Sequence, residues 1–440
     1  MLAFIGFVMI FVMMILLFKE KTVPAVLFVL LPVVAALLAG FSIKEIAEFI
    51  NKGVATTWKT AVLFIFSVTY FGTMSDAGMF DKIVKPLVNF AGSNVTAVFI
   101  ITAIISVVAH LDGSGATTFL IVIPAMLPIF KRLGLRIQSL MLVCCACAGI
   151  MNLVPWGGST LRAATVIQMD PTDLWKMMIP TQIIGLILAF GLTIIIARLE
   201  EKRLQRIANL SDNFVNVVNE GNESTEAPEI VELKRPDLFW FNFLLTAAVI
   251  TVLVIVKEVP SFVVFMVGLA IALLVNYKTA KEQHDRIKAH APSAMQMAIT
   301  LLSAGVLLGV MTHSGMIDSI AGSFIAILPG SFLRYLHIIV AALTVPIHTV
   351  VATDPYYYAL LPIVIEVVGA YGVSPKAAAI AMLIGENMSW SVSAVVPSVY
   401  LGIGLAGLSY KEHLAFSFKW MWGLSLILIL VAMFLGLIII

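Results

Sequence analysis

Charged residues and cysteines are scarce in this sequence of 440 residues. Asp, Glu, Lys and Arg make up only 12% of it, against about a quarter in a soluble domain, and hydrophobic residues make up 61%. The three cysteines, Cys144, Cys145 and Cys147, stand in one apolar stretch without a second ligand cluster. This excludes a metal or redox site built on them and favours a role in helix packing. The net charge of +2 gives no reason to expect a nucleic acid partner.

Long apolar runs recur from one end of the chain to the other. A transmembrane helix needs about 20 such residues, and only helices and closed barrels satisfy their own backbone in lipid. We therefore predict an all-α polytopic membrane protein in a lipid bilayer. Simple spans are predicted at 2–18, 22–41, about 57–75, 174–196, 238–256, 261–277, 294–311 and 414–440. Two amphipathic pieces, FSIKEIAEFI and TAKEQHDRIKAH, are predicted to lie between spans as separate elements.

A stretch of thirteen residues returns 237 positions later. FGTMSDAGMFDKI at 71–83 and LGVMTHSGMIDSI at 308–320 are identical at six positions. Four longer apolar segments are broken in the middle, at AHLDGSG, NLVPWGGST, TVVATDPYYY and GENMSWSVSAVVPS. If the first and third of these are re-entrant hairpins, each half has about five transmembrane helices plus a hairpin. An odd number of crossings makes the halves inverted-topology repeats, as in secondary transporters.

The distribution of basic residues supports this topology. Cytoplasmic loops are enriched in Lys and Arg, and here 19 fall on one side and seven on the other. The richer side contains Lys19 and Lys21, which follow the first span, and the polar segment 197–237. We predict a bacterial cytoplasmic membrane protein with both termini outside and a cytoplasmic linker between the halves.

Charged groups at bilayer depth are costly and mark function by default. Asp112 and Asp354 stand at the tips of the two predicted hairpins, Arg162 follows the first helix break, and Glu386 opens the second. Two tips and two breaks give four helix N-termini directed at the centre, which attract anions, and Arg162 adds a fork suited to a carboxylate. The glycines that let the backbone turn and a ligand approach are Gly113, Gly115, Gly157 and Gly158. The polar side chains of this predicted nest are Ser114, Thr117, Thr118, Asn152, Ser159 and Thr160.

Each of these residues also has a structural interpretation. Arg162 could extend to the membrane interface, and Asp112 could cap the following helix. His110 and His348 flank the two tips, where packing is as reasonable as proton transfer. Residues for which a purely structural role is favoured are Asp76 and His313, as helix ends, and Tyr356, Tyr357 and Tyr358, as core aromatics.

At these residues the sequence resembles the CitMHS family, the metal-citrate:proton symporters of the ion transporter superfamily. The resemblance covers essentially the whole chain. Its most specific stretches are YFGTMSDAGMFD, LDGSGATTFLIVIPAMLP, GIMNLVPWGGSTLRAAT and DPYYYALLPIVIEVVGAYG. It implies an elevator fold, with a scaffold domain that forms a homodimer and a transport domain of hairpins and broken helices. The implied division is 1–93 and 237–330 for the scaffold, 94–198 and 331–440 for the transport domain, and 199–236 for the linker.

The resemblance also implies a function and a site. It implies proton-driven uptake of citrate complexed with a divalent metal such as Mg²⁺ or Ca²⁺, with no permanently bound cofactor. Asp112 to Thr118 and Asn152 to Arg162 would form one half-site. The other half-site would contain Thr353, Asp354, Tyr356, Tyr357, Asn387, Pro397 and Ser398. Asp112 and Asp354 would contact the metal of the substrate complex. Candidates for proton coupling are Asp112, Asp354, Glu386, His110 and His348.

Two other functions are compatible with parts of the sequence. A sodium-coupled dicarboxylate symporter would have the same fold, although Asn152 is the only obvious amide near the first tip. An intramembrane enzyme could use the pair His110 and Asp112, but an enzyme rarely needs an inverted repeat.

Overall fold

The structure is a computed structural model that describes residues 1–19, 22–90, 94–210, 233–256, 258–349, 351–394 and 396–438. Helices account for all the regular structure in these residues. The longer helices of the first half are α1 (Leu2–Phe18), α2 (Pro24–Leu38), α3 (Ile43–Asp76), α4 (Asp81–Phe90), α5 (Val95–Ala109), α6 (Gly115–Arg132), α7 (Ile137–Met151), α8 (Gly158–Val166) and α9 (Pro171–Leu210). Those of the second half are α10 (Phe239–Ile255), α11 (Ser261–Asn276), α12 (Ala280–His313), α13 (Met316–Ile327), α14 (Leu336–His348), α15 (Leu361–Gly369), α16 (Pro375–Ser389), α17 (Pro397–Ala406) and α18 (Tyr410–Phe434).

Seven helices in the described part of the chain are long and apolar enough to cross a membrane. They are α3, α5, α6, α9, α10, α12 and α18, and the bent pair α16 and α17 is an eighth candidate. The predicted all-α polytopic class is confirmed.

The helices of the second half follow the order of the first. Helices α1, α2 and α3 begin 237 positions before α10, α11 and α12. The caps repeat as well: the side chains of Ser42 and Thr279 accept hydrogen bonds from the amides of Glu45 and Glu282, whose carboxylates accept bonds in return. Such a capping box satisfies two of the free N–H groups at a helix start.

Helices α3 and α12 are continuous over 34 residues each. The prediction that FSIKEIAEFI and TAKEQHDRIKAH are separate elements was therefore wrong. In each case the capping box makes the helix begin at the amphipathic piece. No helix-ending sequence signal separates that piece from the apolar run, so the helix continues. Pro292 lies inside α12 without ending it. Helix α9, Pro171–Leu210, contains the span predicted at 174–196 and extends beyond both of its ends.

Helices α3 and α12 pack against each other in antiparallel directions. Near the start of α3, the ring of Phe49 stacks on His313 at the end of α12, with 6.3 Å between centroids. At the other end, the Asp76 carboxylate lies 3.0 Å from the Arg286 guanidinium. Because these helices hold equivalent places in the two halves, their opposite directions are those that inverted repeats require. Inversion of the complete halves stays a prediction.

The two broken hairpin segments return on themselves. In the first, the ring of Phe99 in α5 lies 5.1 Å from that of Phe130 near the end of α6. The turn between them contains Gly113, whose φ of 73° is a conformation that glycine adopts without strain. In the second, Gly330 precedes α14 and lies against the ring of Tyr371, which follows α15.

The hairpins and broken helices of the two halves pack together. Helix α6 packs on α17, α7 packs on α16 and α18, and α14 packs on α16. Helices α1 to α3 pack with α10 to α13 in a second group that is centred on the pair α3 and α12. The division into scaffold and transport domains stays a prediction. Most of the linker 199–236 lies outside the described residues.

Candidate substrate site

The hairpin tips and helix breaks of both halves meet at one cavity of about 780 Å³. Ligand sites for small molecules are typically about 300–1,000 Å³. The predicted site residues that line it are His110, Asp112, Gly113, Ser114, Gly115, Asn152, Gly158, Ser159, Arg162, Thr353, Asp354, Glu386, Pro397 and Ser398. Residues that are more than 200 positions apart in the sequence therefore share one wall.

The other predicted residues stand behind this wall among the described residues. They are Thr117, Thr118, Gly157, Thr160, Tyr356, Tyr357, Asn387 and His348. Most of them hold lining residues or the backbone in place: Thr118 Oγ1 lies 2.7 Å from His110 Nδ1, and Thr160 donates to the carbonyl of Leu153. Tyr356 donates to the carbonyl of Met382.

Arg162 forms an ion pair with Asp354 across the two halves. Its Nε lies 2.7 Å from Asp354 Oδ1, and its NH1 donates to the carbonyl of Gly158 at 2.9 Å. Only 8% of Arg162 is exposed, so the alternative in which it extends to the membrane interface is wrong. The sulfur of Met297 in α12 lies 3.3 Å from NH2. Removing one partner of such a buried pair typically costs about 3–5 kcal/mol, because the other charge is left uncompensated.

Asp112 shapes the first tip without capping the helix that follows. Its Oδ1 accepts a hydrogen bond from the amide of Ser114 at 2.8 Å. Ser114 is the N-cap of α6, because its hydroxyl accepts from the amide of Thr117. The capping alternative for Asp112 was therefore wrong, and its half-buried carboxylate lies at the cavity.

Three of the longer helices begin at this cavity. The first residues of α6, α8 and α17 all line it, represented by Gly115, Gly158 and Pro397. Helix N-termini carry free N–H groups and a partial positive charge, so this arrangement favours an anion. Gly115 is required for the close packing of the first tip, since a Cβ there would lie 2.7 Å from the ring of Trp390.

The two broken helices are tied by an asparagine pair. Asn152 Nδ2 donates to Asn387 Oδ1 at 2.8 Å and also lies 3.2 Å from Ser159 Oγ. Asn387 is fully buried and donates to the carbonyl of Leu383. Asn387 thus positions Asn152, which lines the cavity, and does not line it itself.

Glu386 is the most enclosed carboxyl group of the site. It is fully buried, and its two oxygens accept hydrogen bonds from Thr353 Oγ1 and Tyr357 OH, each at 3.2 Å. His348 Nε2 lies 3.7 Å from Oε1. Tyr357 belongs to one turn of π-helix, Tyr356–Leu360, a feature often found at functional sites.

The comparison with known families agrees with this geometry. Residues 8–385 match the family model of the citrate transporters, CitMHS. The chain belongs to this family. Because its members are transporters, the interpretation as an intramembrane enzyme is excluded.

Two relatives of this member of the citrate transporter family come from Bacillus subtilis (strain 168). One, the citrate transporter, is 34% identical over 438 residues that cover 100% of both chains. Another, the Mg(2+)/citrate complex secondary transporter, is 35% identical over 426 residues, which cover 96% of this chain and 95% of the relative. The crystal structure of the Alcanivorax borkumensis YdaH transporter, described as having an unusual topology, matches with a TM-score of 0.61 and 17% identity over 88% of each chain. The similarity to YdaH shows the fold alone.

Several lining residues were missed by the sequence analysis. Trp156 and Trp390 stand at the two helix breaks, and the Nε1 of Trp156 donates to the Leu111 carbonyl at 2.7 Å. Their position inside NLVPWGGST and GENMSWS was a usable signal, because a large aromatic at a break can support an unwound backbone. Gln296, Met297 and Thr300 line the cavity from the middle of α12, and their local sequence carried no such signal.

Proposed function

We propose that this protein is a secondary transporter that takes up citrate as a complex with a divalent metal ion, coupled to protons, by an elevator mechanism. The observation that carries this proposal is the Arg162–Asp354 ion pair at the wall of a cavity where three helix N-termini begin. The names of the two Bacillus relatives support citrate, and one of them supports its complex with Mg²⁺.

The ion pair selects a substrate with both signs of charge. A carboxylate of citrate can replace Asp354 at the planar guanidinium of Arg162, which suits bidentate binding. Asp354 then needs a new cation, and the metal of the complex supplies one, with Asp112 as a second carboxylate at the opposite tip. Oxygen ligands of this kind suit Mg²⁺ and Ca²⁺, with citrate and water completing the ligand set. Free citrate would only add negative charge beside Asp354.

The membrane potential favours transport of the metal complex over free citrate. Moving one negative charge into a negative-inside cell costs about 2.3 kcal/mol per 100 mV. Free citrate, with three negative charges, costs about three times as much, while a complex of charge −1 becomes a net cation with two protons.

The position of the cavity supports an elevator. It lies between the tips and the middle of α3 and α12, and reaches Leu17 and Pro24 beside the α1–α2 connection, which is predicted to be cytoplasmic. A second cavity of about 170 Å³ lies where the first turns of α3 meet the last turns of α12, beside Thr56 and His313. These positions support an inward-facing state and a transport domain that moves between the two cavities. The homodimer stays a prediction.

The test is uptake of labelled citrate by the purified protein in liposomes. Proton or sodium gradients are imposed separately, each with and without Mg²⁺ or Ca²⁺. We expect accumulation with an inward proton gradient and a divalent metal together. Accumulation driven by sodium alone would favour the sodium-coupled dicarboxylate symporter, and metal-independent uptake would contradict the role given to Asp354.

A further inference from the structure

We infer that Glu386, together with His348, carries a transported proton, and that the turn at the second hairpin tip links this proton to the substrate. The inference rests on the proposed function, and it selects one pair from the titratable groups around the cavity. Geometry distinguishes this pair from Asp112 and Asp354, which have roles at the substrate itself.

The first argument is burial. The side chains of Glu386 and His348 are both 0% exposed, and Nε2 lies 3.7 Å from Oε1. Neither ring nitrogen of His348 has a hydrogen-bond partner in the part of the chain that the structure describes. A buried carboxylate is costly unless it is paired or neutralised, and a proton shared with an adjacent imidazole achieves this.

The second argument is the balance of charge. Arg162 is the only Lys or Arg among the described residues that line the cavity, and its Nε already donates to Asp354. The titratable and charged groups that face Glu386 are His348 from α14, the Tyr357 hydroxyl from the π-turn and Arg162 from α8. Among the described residues, the only basic nitrogen within 4.0 Å of the Glu386 carboxyl belongs to His348. Asp354 therefore has a dedicated cation, whereas Glu386 has only the His348 imidazole. Asp112 also lacks an ion pair among the described residues, but it is only half-buried, while Glu386 is fully enclosed.

The third argument is the connection to the substrate. Thr353 and Tyr357 hold the two oxygens of Glu386, and Asp354 stands next to Thr353 in the same turn. When the metal of the complex binds Asp354 and breaks its ion pair with Arg162, the turn must shift. The Thr353 and Tyr357 hydroxyl groups that donate to Glu386 then shift with it. Substrate binding and proton binding therefore act on one structural element, which is what coupled transport requires.

The experiment compares wild type with Glu386→Gln in proteoliposomes. Three quantities are measured: exchange of labelled Mg²⁺–citrate at equal concentrations on both sides, accumulation under an inward proton gradient, and substrate-dependent proton influx with an internal pH dye. Exchange needs no net proton movement, so we expect the variant to keep it. The proton influx per citrate should fall, and accumulation with it, because glutamine cannot release a proton and one of the two proposed protons is no longer carried.

Glu258→Gln is the matched control, since Glu258 is an exposed carboxyl group between α10 and α11, lines neither cavity and should keep all three activities. Glu386→Asp should restore part of the proton influx. An unchanged proton influx per citrate in Glu386→Gln would overturn the inference. Loss of exchange together with accumulation would also overturn it, because it would make Glu386 a substrate ligand. Absence of proton influx in the wild type would instead overturn the proposed proton coupling.

Discussion

Arg162 and Asp354 are 192 positions apart in the chain, and their side chains meet at 2.7 Å. One residue follows the helix break of the first half, and the other stands at the hairpin tip of the second half. The pair therefore joins the two halves at the cavity, and under the proposed function it occupies the groups that the substrate needs. On that proposal the substrate competes with this ion pair, so we expect binding and rearrangement of the tip to occur together.

Replacing Arg162 by lysine tests the fork geometry. An ammonium group cannot hold both Asp354 and the Gly158 carbonyl as the guanidinium does. We expect membrane insertion to be retained and citrate uptake to fall by about 100-fold, the scale of loss from a misplaced binding group. Arg334→Lys, at an exposed arginine, is the control. Wild-type KM and rate in a well-folded Arg162→Lys protein would contradict the assignment.

Replacing Asp112 by asparagine should impair transport more than replacing Asp76. Asp112 lies at the cavity, where its carboxylate can contact the metal, while Asp76 ends α3 and pairs with Arg286 and His290. Asp76→Asn should lower the unfolding free energy by about 1–3 kcal/mol, because it weakens these bonds, and leave transport by the folded protein intact. Uptake assays and thermal unfolding in detergent separate the effects. Equal transport by both variants would show that the first hairpin is misinterpreted.

The crossing of α3 and α12 depends on glycine. A Cβ on Gly53 would lie 2.0 Å from the carbonyl oxygen of Gly305 and 2.6 Å from the Cα of Gly309, so no side chain fits there. Gly53→Val should prevent correct folding, because the two backbones are forced apart. Gly191→Ala is the control, since no atom lies within 4 Å of its added Cβ. Size-exclusion profiles in detergent report the result, and a monodisperse, active Gly53→Val protein would refute the packing.

Asn387 should act through Asn152 and not through direct contact with substrate. Asn387→Leu has a similar volume and removes the acceptor of the Asn152 amide. An unsatisfied buried amide costs about 1–3 kcal/mol, so we expect a lower thermal unfolding temperature. Maximal uptake should fall more than citrate affinity. A large rise in KM at unchanged stability would instead place Asn387 at the substrate.

The topology predicts opposite accessibility of two positions outside the described residues. Position 221 lies in the linker and should be cytoplasmic, and position 440 should be outside, given the 19-to-7 bias of basic residues. Single cysteines are introduced there in a protein that lacks Cys144, Cys145 and Cys147. An impermeant thiol reagent applied to intact cells should label position 440 alone. Equal behaviour at both positions would mean that one half crosses the membrane an even number of times.

Local sequence determined the class of this protein and the places where its helices break. Apolar runs predict spans because lipid imposes a length and a composition on any helix that crosses it. The breaks at Gly113 and Gly158 were predictable because glycine and proline act on the backbone of their own neighbourhood. The short motifs around them were also sufficient to indicate the transporter family.

Tertiary structure decided what those breaks bring together. Two contacts join segments from opposite halves: the ion pair of Arg162 with Asp354 and the hydrogen bond of Asn152 to Asn387. A third, from the Tyr357 hydroxyl to Glu386, joins separate helices. No local pattern specifies such contacts, because they arise from the packing of the repeats against each other. The continuity of α3 and α12 was missed for a related reason. The side chains change from polar to apolar where the helix passes from water into lipid, and this change suggested two separate elements. The backbone hydrogen bonds nevertheless continue across that boundary.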